Sequence, residues 1–178
     1  PWLVFGGSDA ATAGVLRRIA EEGGKATLVR HGPAFATGAD GSYTVDAHDE
    51  AQFEQLFNAQ EQSGRSPDHI AHLWSLETGA QGHGQGLLLG QALAFDSLVH
   101  IAKVMQTLDV RQAVRHTVVT AGGQAVNGSK VEHPVRSLPL GPCRVIPREV
   151  PNLGTVLVDL DPADTESAAM SRAVVCEA

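Results

Sequence analysis

The feature that most constrains this chain is an alternation. Short, almost wholly apolar runs are followed by longer stretches of helical periodicity, from the first residues to the last. Trp2–Phe5 reads as a buried strand. Ala10–Glu22 reads as a helix, with Val15, Leu16 and Ile19 on one face and Arg17, Arg18, Glu21 and Glu22 on the other. Asp9 stands where an N-cap belongs, and Gly23-Gly24 where the helix should stop. Ala26–Arg30 predicts a second strand, followed by a Gly- and Pro-bearing loop from His31 to Gly41. Tyr43–Val45 predicts a third strand. Asp49–Gln62 predicts a helix with Phe53, Leu56 and Phe57 inward, and His69–Trp74 a fourth strand after the turn Ser63–Pro67.

The second half repeats the alternation. Thr78–Gly86 is too rich in glycine for regular structure and reads as a surface loop. A long helix is expected from Leu87 to Leu108. Its polar residues Asp96, His100, Lys103 and Thr107 share one narrow face, and the rest is apolar. Either the last helix and the Ala121–Leu140 loop cover that surplus, or something outside the chain does. Thr117–Thr120 predicts a fifth strand and Ala121–Leu140 a long loop. Pro142–Glu149 predicts a short helix limited by Pro147, and Thr155–Leu160 a sixth strand. Asp161–Ala173 predicts a final helix with Pro162 in its first turn, and the tail the start of another strand. Strand, helix and strand repeated six times give an α/β fold. The expectation is a Rossmann-like, doubly wound, mostly parallel sheet with helices on both faces, in one domain over residues 1–178.

Composition narrows the function classes. A chain of 178 residues suits a single domain with a sizeable core. Thirteen Lys and Arg against twenty Asp and Glu leave a formal charge of −7, which argues against nucleic-acid binding. The same charge argues against an anionic membrane surface. Asp96 and Lys103 interrupt the long helix short of a clean membrane span. Two Cys and a start unlike a signal peptide argue against a disulfide-bonded secreted scaffold. The apolar run directly after Pro1 and the absence of a polar tail read as a piece of a longer polypeptide, or as a processed chain.

A doubly wound sheet invites a dinucleotide, and the first strand–helix junction is the place to test it. The junction reads Phe5-Gly6-Gly7-Ser8-Asp9-Ala10-Ala11-Thr12-Ala13-Gly14. Glycines are needed at i, i+2 and i+5 so that the backbone can approach a pyrophosphate. Counting from Gly6 those places hold Ser8 and Ala11; counting from Gly7 they hold Asp9 and Thr12. Asp9 also puts a carboxylate where a phosphate would sit. The expectation is a tight turn with an Asp cap and no bound cofactor.

Other chemistries are equally thin. Short-chain reductases need a Tyr with a Lys four residues on, but Tyr43 is the single Tyr and Ala47 follows it at that spacing. His69 and His72 should point to opposite faces of one strand, and Cys143 and Cys176 lack zinc-ligand spacing. Asp159 and Asp161 at a strand end make a weak cation pair. Ser75 lacks a nucleophile-elbow context, with no helix expected directly after it, and Glu149 reads as a helix-face charge. No catalytic, cofactor-binding or metal-binding residue is assigned.

Six segments, in order, resemble one known family. They are Trp2-Leu3-Val4-Phe5, Ile70-Ala71-His72-Leu73-Trp74-Ser75-Leu76 and Ser97-Leu98-Val99-His100-Ile101. Thr120-Ala121-Gly122-Gly123-Gln124-Ala125-Val126 follows, then the run from Gly141-Pro142-Cys143-Arg144 through Pro151-Asn152-Leu153, and Val158-Asp159-Leu160-Asp161-Pro162. The chain resembles the structural, non-catalytic subdomain of ketoreductases in type I polyketide synthases. The Gly-rich stretch around His83 departs from the pattern. The resemblance implies a pseudo-Rossmann half that has lost cofactor binding. It implies a partner half outside this chain that binds NADPH and reduces a β-ketoacyl group on an acyl carrier protein. It also implies neighbouring synthase domains and a cytoplasmic multienzyme. Two other readings stay open. One is a vestigial half serving as an interaction scaffold beside a methyltransferase, enoylreductase or dehydratase; the other is a free-standing dinucleotide-binding oxidoreductase.

Overall fold

The computed structural model describes residues 1–77, 85–108, 112–125, 131, 134–165 and 168–176. Seven strands form one sheet in the order β3-β4-β2-β1-β5-β6-β7. They are β1 (Trp2–Phe5), β2 (Ala26–His31), β3 (Ala36–Thr37), β4 (Tyr43–Val45), β5 (His69–His72), β6 (Val114–Ala121) and β7 (Leu153–Leu160). All neighbours pair in parallel except β3, which runs antiparallel to β4. The doubly wound, mostly parallel α/β architecture expected from the alternation is the observed one.

The alternation of side chains along each strand divides the core in two. Leu3 and Phe5 face the larger layer with Val29, Val45, Ile70, Val118 and Leu153. There they meet α2 (Glu50–Gln62), α5 (Ser97–Thr107) and α6 (Leu140–Glu149). Trp2 and Val4 face the other layer with Ala71 and Val119, against α1 (Ala10–Glu21) and α7 (Ala168–Cys176). Strands buried on both faces must be apolar throughout, which is why Trp2–Phe5 shows no alternation. Helix α1 ends as its glycines dictate. Gly23 adopts φ +76°, and the amides of Gly23 and Gly24 return to the carbonyls of Ala20 and Ile19 at 3.0 and 2.9 Å.

Several expectations are corrected. Among the described residues there are four helical crossovers, not six units, because β2 reaches β4 through the small strand β3 inside the His31–Gly41 loop. The fourth strand stops at His72, and a one-turn helix, α3 (Trp74–Glu77), begins where no helix was expected. The long helix opens at Gln85 rather than Leu87. It runs as α4 (Gln85–Gln91), a π-helical turn (Ala92–Asp96) and α5. The fifth strand is twice its predicted length, and the sixth starts at Leu153. Helix α6 begins at Leu140 and continues through Pro147, whose ring is exposed. The last predicted helix is divided into a 3-10 turn (Pro162–Asp164) and α7, which occupies the tail expected to begin a strand. Of the predicted 78–86 glycine loop, residues 78–84 lie outside the described residues and 85–86 belong to α4; residues 126–130 and 132–133 of the predicted 121–140 loop also lie outside them. The described part of that loop includes a 3-10 turn, Pro134–Ser137.

By length and composition Gly86–Thr107 could cross a bilayer, yet half of its most apolar window is buried inside the molecule. Leu98, Ile101 and Val104 are wholly buried against the sheet. The surplus apolar surface lies at the helix start, where Leu87, Leu88 and Leu89 are exposed by 46, 61 and 41%.

Candidate functional site

In an open α/β sheet a ligand binds beyond the carboxyl ends of the strands where the strand order reverses. Here the reversal lies between β1 and β5. Five segments converge on that edge: the Gly6–Asp9 turn, the end of β2 at His31, α3, the turn after β6, and Pro134–Ser137.

The glycine turn is packed shut. Asp9 caps α1, its Oδ1 accepting from the Thr12 amide at 2.8 Å and its Oδ2 from the Thr12 hydroxyl at 2.9 Å. A Cβ on Gly6 would lie 2.5 Å from Thr12 Oγ1, so Gly6 is a glycine because Thr12 sits against it. A Cβ on Gly7 would lie 3.0 Å from the Glu77 carboxylate and 3.1 Å from Asp9 Oδ2. Two carboxylates thus stand over the glycine that a phosphate would approach. Glu77 is held by His31, with Nε2 3.2 Å from Oε2, and this hydrogen bond raises the imidazole above its ordinary value against the opposing pull of burial.

The turn after β6 is filled in the same way. Asp159 on β7 accepts from Thr120 Oγ1 at 2.7 Å and from the amides of Gly123 and Gln124 at 3.1 and 3.0 Å. Successive amides of this kind form an anion-binding concavity; here the chain's own carboxylate occupies it. Asp161, its suggested cation partner, instead caps the Pro162–Asp164 turn through the Ala163 amide. Arg136 spans the edge, donating to the carbonyls of Ala121 and Leu76 at 3.0 Å each. Burial lowers its guanidinium below the ordinary value, against the pull of Asp159. What remains is a cleft of about 340 Å³ between Asp9, Leu76, Glu77, Arg136, Pro162 and Thr165.

The remaining singled-out residues lie elsewhere. Tyr43 is buried on β4, two strands from β1, against Phe35. His69 and His72 do face opposite ways. His69 stacks on Trp2 at 4.4 Å, while His72 Nε2 lies 2.9 Å from Ser97 Oγ in the other layer. Ser97 donates its own proton to the Leu93 carbonyl, so Nε2 of His72 carries the hydrogen. His116 packs 6.1 Å from His72, and burial drives its pKa down to about 3. Cys143 is buried, its thiol pushed up to about 12 by desolvation, and Cys176 is exposed. Among the described residues no three His, Cys, Asp or Glu side chains converge as a metal site would need. Glu149 is exposed at the end of α6. Glu77, His31 and Arg136 were not legible as a group in the sequence, because nothing in the one-turn helix announces that it closes over Gly7, or in the Pro134–Ser137 turn that it packs on Gly123.

A second concavity, of about 550 Å³, lies on the opposite side of the larger layer, between α5 and α6. Phe95, Val99, Ala102, Val145 and Ile146 form its floor, with Lys103 and Glu149 at its rim. It is mostly apolar, and Val145 is 46% exposed.

A family model described as β-ketoacyl synthase-like, N-terminal, matches residues 1–177. No curated protein sequence matches the chain. Among solved structures, the adenylation, ketoreductase and pseudo-Asub multidomain structure of a keto acid-selecting NRPS module superposes with TM-score 0.80 at 19% identity. It covers 97% of this chain and 14% of that one. An N-terminal ketoreductase from the macrolactin assembly line gives TM-score 0.69 at 15% identity over 90% of this chain and 32% of that one. The enoyl-[acyl-carrier-protein] reductase (NADH) of Aquifex aeolicus VF5 gives 0.64 at 13% identity over 97% of this chain and 87% of that one. These likenesses establish a Rossmann-type, reductase-like fold. The chain spans about a seventh and a third of the two assembly-line proteins.

Proposed function

The chain belongs to the β-ketoacyl synthase-like N-terminal family, and from that membership we propose that it is the structural half of a polyketide synthase ketoreductase. In this reading it binds no nucleotide. It supports a separate half that carries NADPH and reduces a β-ketoacyl group delivered on an acyl carrier protein, within a cytoplasmic multienzyme. The observation that carries the reading is the switch-point edge. Its glycine turn is covered by Glu77 and Asp9, and the amides after β6 hold Asp159. A nucleotide pyrophosphate would have to displace carboxylates and then sit beside them, which electrostatics opposes. The apolar groove between α5 and α6 supports the second element of the reading, a surface on which the catalytic half docks.

The test is a fluorescence titration of the isolated chain with NADPH. No saturable quenching is expected; saturable micromolar binding overturns the reading in favour of an oxidoreductase that uses this edge.

A further inference from the structure

Glu77 and His31 reach each other across the switch point. His31 ends β2, and Glu77 ends α3, the single turn that follows β5. Their side chains are 34 and 19% exposed, so the contact is half-sheltered at the mouth of the edge. It lies over two features of the edge, one half-buried and one wholly buried. One is Gly7, with the Glu77 carboxylate 3.0 Å from where its Cβ would be. The other is Trp74, which is wholly buried and meets the His31 ring edge-on at 6.2 Å. The Trp74 indole nitrogen is buried without a hydrogen-bond partner among the described residues. Two other charged groups face Glu77. Asp9 is committed to Thr12, and Arg136 to the carbonyls of Leu76 and Ala121. His31 is therefore the one ion-pair partner of Glu77 among the described residues.

We propose that His31 and Glu77 form a proton-operated latch: their ion pair holds α3 against the end of β2 and closes the edge above Gly7 and Trp74, and loss of the His31 proton releases it.

The direction of the switch follows from linkage. His31 is raised above 6.5 by Glu77, whereas burial holds His69, His72, His100 and His116 below it. The latch's contribution is complete below pH 6.5 and is lost as the pH rises through the folded value of His31. Those four rings give up their protons at lower pH than His31 does. An ordinary structural ion pair would titrate without exposing anything beneath it. A latch uncovers Trp74.

The inference stands whether or not the chain is a ketoreductase scaffold. It is tested on the 178-residue chain by NMR. The His31 ring is titrated while hydrogen exchange of the Trp74 indole N–H is followed, each rate divided by its intrinsic pH dependence. The expected result is a His31 midpoint above 6.5 and a Trp74 protection factor that drops across that midpoint. In Glu77→Gln the midpoint falls back toward the ordinary value, and protection is low and flat with pH. Protection that stays constant through the His31 titration overturns the proposal, as does a Glu77→Gln variant with an unmoved midpoint. The wild-type profile alone decides the matter should that variant fail to fold.

Discussion

At the scale of single residues, the glycines of the first turn serve packing. Gly6 is buried, donates its amide to the Val29 carbonyl at 3.0 Å, and lies under Thr12. A methyl group there would overlap Thr12 Oγ1 and Cγ2, so Gly6→Ala should cost about 1–3 kcal/mol, the usual penalty of overpacking. Thr12→Ala removes both atoms, so the double variant should recover part of the loss in a urea-denaturation cycle. A purely additive cycle would show that Thr12 is not the obstacle. The buried imidazoles give a second residue-scale prediction. His72 and His116 are held neutral by desolvation, with folded pKa values below the unfolded 6.5. The unfolded chain therefore takes up more protons as the pH falls through 6.5. Each ring should then remove up to about 1.4 kcal/mol of stability per pH unit. Urea midpoints measured from pH 7 to 4 should fall accordingly, and His116→Leu should flatten the slope. An unaltered slope in that variant would mean the acid sensitivity arises elsewhere.

At the scale of elements, the helix from Gln85 to Thr107 is two things joined by a π turn. Its second half is core: Leu98 and Ile101 are wholly buried. Leu98→Ala or Ile101→Ala should each cost about 2–5 kcal/mol by leaving a cavity. Its first half presents Leu87, Leu88 and Leu89 to solvent, so Leu88→Ser should shift stability by no more than about 0.5 kcal/mol in thermal melts. A large loss from Leu88→Ser would mean that these leucines pack inside the fold. The same helix shows what was legible in the sequence. Its polar stripe and the surplus of apolar surface could be read from spacing, because helical period is a local property. The turn at Ala92–Asp96 could not, because it sits where Ser97 reaches both Leu93 and His72, a contact between residues far apart in sequence. Likewise β1 was readable from its apolar run, α1 from its cap and apolar face, and α2 from Phe53, Leu56 and Phe57. The one-turn α3 and the two-residue β3 were too short to carry a period. At the candidate edge the Asp9 cap was legible, since capping is local. The covering of Gly7 by Glu77 was not, since it depends on β2 and α3 meeting in space.

At the scale of the whole molecule, the two concavities are opposite in character. The switch-point edge is polar and filled by the chain's own side chains. The groove between α5 and α6 is open, with an apolar floor between one lysine and one glutamate. An apolar floor with a charged rim is the anatomy of a protein interface. In the proposed role this groove seats the catalytic half. Val145 is the residue to probe, because it is 46% exposed in the chain alone and lies on the outer turn of α6. Val145 is exposed in the chain alone, so Val145→Asp should move the melting of the isolated chain by less than about 0.5 kcal/mol equivalent. In the complex the same carboxylate would be desolvated without a partner, at a cost of about 1–3 kcal/mol or more. Affinity for the separately expressed catalytic half should therefore fall about 5- to 150-fold by calorimetry. Val156→Asp, exposed by 50% on β7 and outside the groove, should leave that affinity unchanged. Joining the two halves should also raise the melting temperature of this one, since a partner that binds only the folded state stabilises it. Equal affinity for wild type and Val145→Asp, together with equal melting alone and joined, would place the docking surface somewhere other than α5 and α6.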